Sequence, residues 1–83
     1  MELDDFAARI EAAIPDSQAE VTHARGPEDT DHLAATVVSP VFEGESLVDR
    51  HQRVHDALAE HMTTDIHALE IETYTPAETE DNE

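Results

Sequence analysis

The sequence predicts a small α+β domain ordered α-β-β-α-β-α, a three-stranded sheet with its helices against one face. Three observations lead there. At 83 residues the chain has room for one domain. Two segments repeat apolar residues at the helical period, and three others read as short strands, the last of them by strict alternation. Turn-forming residues separate these segments, and stacking helices on one sheet face is the economical way to bury such stripes.

The first helix covers residues 3–14. Leu3, Phe6, Ile10, Ala13 and Ile14 fall on one face, and acidic residues sit near its start, where the helix dipole favours them. Pro15 and Asp16 end it. Ala19 to Ala24 form a strand, residues 26–31 (Gly-Pro-Glu-Asp-Thr-Asp) a turn, and His32 to Ser39 a second strand, so the pair is an antiparallel hairpin. Ser39 to Gly44 is a connector. Ser46 is placed to cap a second, longer helix, with Asp49 in its first turn. Its stripe is Leu47, His51, Val54, Leu58 and Met62, and it ends near Met62. In the third strand, residues 66–74, Leu69 and Ile71 point one way and Glu70 and Glu72 the other, which leaves one wet face. Thr75, Pro76 and Glu78 open a short last helix as a cap, a first-turn proline and a capping-box glutamate. The domain is expected over residues 1–78, with residues 79–83 a disordered acidic tail.

Composition narrows the function. Apolar residues are 39% of the chain and only Phe6, Phe42 and Tyr74 are aromatic, so the core is thin and a deep catalytic cavity is hard to build from it. The chain reads as a binding partner and not as an enzyme. There are 21 acidic residues against four arginines and no lysine, a net charge of −17. Such a chain self-repels in dilute buffer, whereas molar salt shortens the Debye length to roughly 3 Å. The balance points to a halophile's cytoplasm. No cysteine is present, which excludes disulfides, thiol nucleophiles and thiolate ligands from this chain. No stretch is long and apolar enough to cross a membrane, and the first residues lack the pattern of a signal peptide, so a cytoplasmic protein is expected.

Chemistry could live in the six histidines. Each is more often structural or solvated than a ligand. His51 and His55 stand four apart on the long helix, a spacing that binds zinc, but Gln52 occupies the place where zinc proteases carry a general-base glutamate. A packed or capped His51 is the stronger reading. His67 stands at the entrance of the third strand with the parity of Leu69 and Ile71, where a nitrogen ligand can be presented over a fixed backbone. By position alone it too reads as structural. Gly26 and Gly44 are isolated and make no phosphate loop.

From Ser39 to Val54 the segment Ser-Pro-Val-Phe-Glu-Gly-Glu-Ser-Leu-Val-Asp-Arg-His-Gln-Arg-Val resembles a signature of the BolA family, S-x-x-F-x-G-x-S-L-V-x-R-H-x-x-V. Ile66-His67-Ala68-Leu69 resembles its I-H-A-L motif, Thr73 to Glu78 is similar to the segment that follows it, and His32-Leu33 corresponds to a His-Phe pair at the start of the second strand. The likeness covers nearly the whole chain and is weak before residue 31. It implies an α-β-β-α-β-α fold of the class II KH-like kind. It also implies an accessory role in iron–sulfur biology, in which the protein pairs with a monothiol glutaredoxin, shares a [2Fe–2S] cluster with it and assists cluster assembly or delivery to client proteins. The resemblance makes His67 a cluster ligand and draws a second from the loop between the first two strands, where His23 stands slightly ahead of His32. Where many relatives carry a tryptophan after the final Pro-x-Glu, this chain has Thr79. Two imidazoles can replace two thiolates on one iron, so a chain without cysteine could supply nitrogen while its partner supplies sulfur.

Some members of the family are described as transcription regulators, which makes a KH-like nucleic-acid binder the runner-up. Arg50 and Arg53, with Arg25, are the available phosphate contacts, and against a net charge of −17 they predict little affinity. A bare adaptor that docks its partner without touching metal is the third reading.

Overall fold

The structure, a computed structural model, describes residues 2–26, 28, 32–59 and 68–80. The observed order is α1 (Leu3–Ala13), β1 (Gln18–His23), β2 (His32–Val38), a 3-10 turn (Pro40–Phe42), α2 (Leu47–Ala57), β3 (Ala68–Tyr74) and α3 (Pro76–Glu80). The strands form one sheet in the order β1-β2-β3, with β1 antiparallel and β3 parallel to β2. The parallel pairing follows from the chain's path. Parallel neighbours need a crossover long enough to bring the chain back to the same end of the sheet, and α2 lies in that connection.

Alternation along the strands separates two faces. Val21, Leu33, Ala35 and Val37 are buried, with Ala19, Leu69 and Ile71 packed beside them. Phe6, Ile10 and Ile14 from the first helical segment, and Val54 and Leu58 from the second, complete this core. On the opposite face Glu20, Glu70 and Glu72 are exposed. The expected layering of helices on one sheet face therefore holds for α1 and α2, while α3 follows directly from the end of β3.

Hydrogen bonds set the element ends. The Glu2 amide donates to the Asp5 carboxylate at 2.9 Å and opens α1. Asp16, at φ 55°, takes the left-handed conformation that turns the chain toward β1. Ser39 leaves β2 because its side chain serves the next element: its hydroxyl accepts from the Val41 amide at 3.2 Å and donates to the Pro15 carbonyl at 2.7 Å. Ser46 caps α2 as expected, accepting from the Asp49 amide at 3.2 Å. Gly44, at φ 81°, makes the turn that leads to this cap, a conformation that a residue with a Cβ rarely adopts.

Several expectations are corrected. Ala13 is exposed, and Ile14 turns in from an extended backbone to fill the core instead. Leu47, predicted to begin the buried stripe of α2, is 62% exposed. The fully buried Phe42 fills the core from the 3-10 turn, with the Arg50 guanidinium 5.8 Å from its ring centroid. The second helix stops at Ala57, short of Met62, which lies outside the described residues. The last helix runs to Glu80, so Thr79 and Glu80, expected in the tail, are helical.

Candidate functional site

Two of the candidate ligands, His23 and His32, stand at the sheet end where β1 finishes and β2 and β3 begin. His23 is the last residue of β1 and pairs with Leu33, which in turn pairs with Leu69 of β3. His32, the first residue of β2, pairs with Ala68, and its carbonyl accepts from the Ala24 amide at 2.9 Å. A single cross-strand row thus reads His23–Leu33–Leu69. His67 precedes this row by two residues of sequence and lies outside the described residues, as does most of the turn between β1 and β2.

The two alternative histidines are not equivalent. Strand alternation puts His23 on the face of Val21, the side covered by α1 and α2. It puts His32 on the opposite face, with Ala34, Thr36 and Val38. Sequence parity expects His67 on the face of Leu69 and Ile71, the face that His23 occupies. His32 instead lines a cleft of about 180 Å³ with Ala24, Arg25, Ala68 and Glu70, and His23 is not part of its wall.

The Nδ1 atom of His23 is buried and has no hydrogen-bond partner among the described residues. A buried polar nitrogen left unpaired costs free energy, on the order of 1–3 kcal/mol, so such an atom calls for an explanation. Ser17 Oγ and Thr73 Oγ1 are likewise buried and unpartnered among the described residues, so the nitrogen alone marks no site; what singles out His23 is its place at the end of β1, on the face that sequence parity expects for His67. The donor set fits an iron–sulfur cluster only as a minority share, since the sequence offers imidazoles and no thiolate. Among the described residues no three histidines, aspartates or glutamates converge as a metal cage. His51 and His55 are half-buried on α2, and among the described residues no third ligand stands with them.

The arginines singled out for phosphate contact have other work. Arg53 grips Glu45 through Nε at 2.9 and 3.0 Å and through Nη2 at 2.7 Å. Arg50 donates from Nη1 to Glu78 at 2.9 Å and from Nε to the Glu45 carbonyl at 3.2 Å. These bonds hold the carboxyls of Glu45 and Glu78 below the usual carboxylate range, through the Arg53 hydrogen bond first for Glu45 and the Arg50 hydrogen bond first for Glu78. The Arg53 guanidinium is pushed up by its bond to Glu45. Glu78 also closes the capping box of α3: its carboxylate accepts from the Thr75 amide at 2.8 Å while the Thr75 hydroxyl accepts from the Glu78 amide at 3.2 Å. The long motif that carried the family resemblance is thus largely a set of caps and clamps. Its spacing gave the caps away, but the Arg50–Glu78 contact spans 28 residues and no local pattern announces it.

The chain matches the family model described as BolA-like protein over residues 4–78. The human BolA-like protein 1 is 45% identical over 60 residues, 72% of this chain and 44% of that protein. A protein of Escherichia coli (strain K12) named DNA-binding transcriptional regulator BolA is 41% identical over 49 residues, 59% of this chain and 47% of that one. The chain thus spans about half the length of these relatives or slightly less. Among solved structures, a bolA protein homologue from Coxiella burnetii superposes with a TM-score of 0.80 at 37% identity, covering 96% of this chain and 97% of that one. The BolA domain of SufE1 from Arabidopsis thaliana gives 0.77 at 30% identity, covering 92% and 93%.

Proposed function

The chain belongs to the BolA-like protein family, and from that premise we propose that it is an accessory factor that shares a [2Fe–2S] cluster with a monothiol glutaredoxin and assists cluster assembly or transfer. The observation that carries the reading is the place of His23 at the end of β1, in the row that leads across the sheet to Leu69 and on the face that sequence parity expects for His67. His67 and His23 are the proposed ligands from this chain, and His32, on the opposite face, is set aside. Iron bound by two imidazoles needs sulfur from elsewhere, and a chain with no cysteine must take it from its partner. The likeness to a BolA domain carried on SufE1 supports an accessory role, since there a domain of this kind is part of a larger protein.

The test is co-reconstitution with a monothiol glutaredoxin, iron and sulfide in high salt, followed by visible absorption and circular dichroism. A mixed-complex spectrum distinct from that of the glutaredoxin alone, lost in His67→Ala and altered in His23→Ala but not in His32→Ala, is the expected result. The glutaredoxin's own spectrum, unchanged by this chain, would refute the proposal.

The name of the Escherichia coli relative favours a second reading, direct DNA binding. Its electrostatics are poor here. Phosphate contact releases counterions through free cations, and both Arg50 and Arg53 already hold carboxylates of the same chain. A gel shift across a salt series should show no retarded band at micromolar protein. A salt-dependent shift weakened in Arg50→Ala would restore this reading.

A further inference from the structure

Among the described residues the exposed large apolar side chains are Leu47, at 62%, and Val48, at 76%. They are neighbours, on the first turn of α2. Packing does not explain them, because the fully buried Phe42 fills this end of the core and Arg50 lies over its ring. Capping does not either, since Ser46 and Asp49 perform it. Glu43 and Asp49, which flank the pair in sequence, are exposed. The arginines that follow on the helix are engaged, Arg50 by Glu78 and Arg53 by Glu45. The result is an exposed apolar pair, flanked in sequence by acidic residues, on a chain of net charge −17.

That charge selects the occupant. At contact distance, where molar salt screens least, a second copy would set like charges against each other and an anionic lipid headgroup would meet the same carboxylates. A protein with an apolar stripe edged by lysine or arginine is complementary in both respects. We propose that Leu47 and Val48 form a docking surface for such a partner, at the end of the domain opposite His23. The placement follows from the fold. Arg50, three residues beyond Leu47, holds Glu78 just past the last residue of β3, whereas His23 lies in the row of Leu69 near its first. Seven strand residues span about 20 Å, so a partner here leaves the histidine end open. The proposal stands without the cluster reading.

The probe is a short amphipathic helical peptide of leucine and lysine, titrated in molar salt so that general attraction to the acidic chain is screened. Its leucine–glutamate counterpart is the control. Methyl resonances of Leu47 and Val48 should move with the lysine peptide and stay still with the glutamate peptide. Affinity should fall by about tenfold or more in the Leu47→Ser, Val48→Ser double variant, which alters only exposed side chains. It should be unchanged in His23→Ala. Equal affinity in the double variant, or shifts that bypass these two methyls, would overturn the proposal.

Discussion

Single atoms decide much in a domain this small. Ser39 is fully buried and joins three segments: its amide donates to the Tyr74 carbonyl at 3.0 Å, and its hydroxyl bridges the Pro15 carbonyl and the Val41 amide. Ser39→Ala leaves that carbonyl and that amide unpaired, and should lower stability by about 1–3 kcal/mol in urea denaturation. An unchanged midpoint would show that water replaces the hydroxyl. Sequence reading placed Ser39 only at a strand end, because its partner Pro15 is 24 residues away and no periodicity links them. His23 shows the reverse. Its place near the end of the first strand was legible, but that it and His32 lie on opposite faces needed the register His23–Leu33.

At the scale of elements, the Arg50–Glu78 pair ties α2 to α3, and Glu78 closes the capping box of α3 as well. The carboxyl of Glu78 titrates below its ordinary range in the folded chain. A carboxylate shifted this way stabilises the fold at pH above its ordinary value, and that contribution disappears as pH falls through the lowered one. Glu78→Gln keeps an acceptor for the cap and removes the charge. It should therefore melt below the parent at pH 7, with a gap that closes as the pH drops beneath the usual carboxylate range. A gap that persists in acid would assign the loss to the cap and not to the ion pair. The elements themselves were mostly readable, since caps and turn residues are local chemistry. Where the reading slipped, at Ala13 and Leu47, the helical period was right and the neighbours decided otherwise, with Ile14 and Phe42 supplying the side chains that the core holds.

For the whole molecule, net charge is the dominant feature, and the proposed role rests on the sheet end that carries His23. With 21 acidic residues and a thin core, the fold should lose helix signal in dilute buffer and regain it in molar salt, as followed by circular dichroism. Full stability without salt would remove that account. No helix among the described residues is long and apolar enough to cross a membrane. Family and layer order could be read from spaced motifs along the chain. The roles of those motifs could not, because several of their residues, Ser39, Ser46, Arg50, Arg53 and Glu78 among them, cap helices or clamp one element to another. The measurement that bears most directly on the shared cluster is pulsed electron paramagnetic resonance on the reduced complex of this chain, labelled with ¹⁵N-histidine, and an unlabelled monothiol glutaredoxin. Strong ¹⁵N hyperfine coupling, reduced in His67→Ala and again in His23→Ala, is the predicted result. A cluster in the complex with no coupling to the labelled histidines would contradict ligation by this chain.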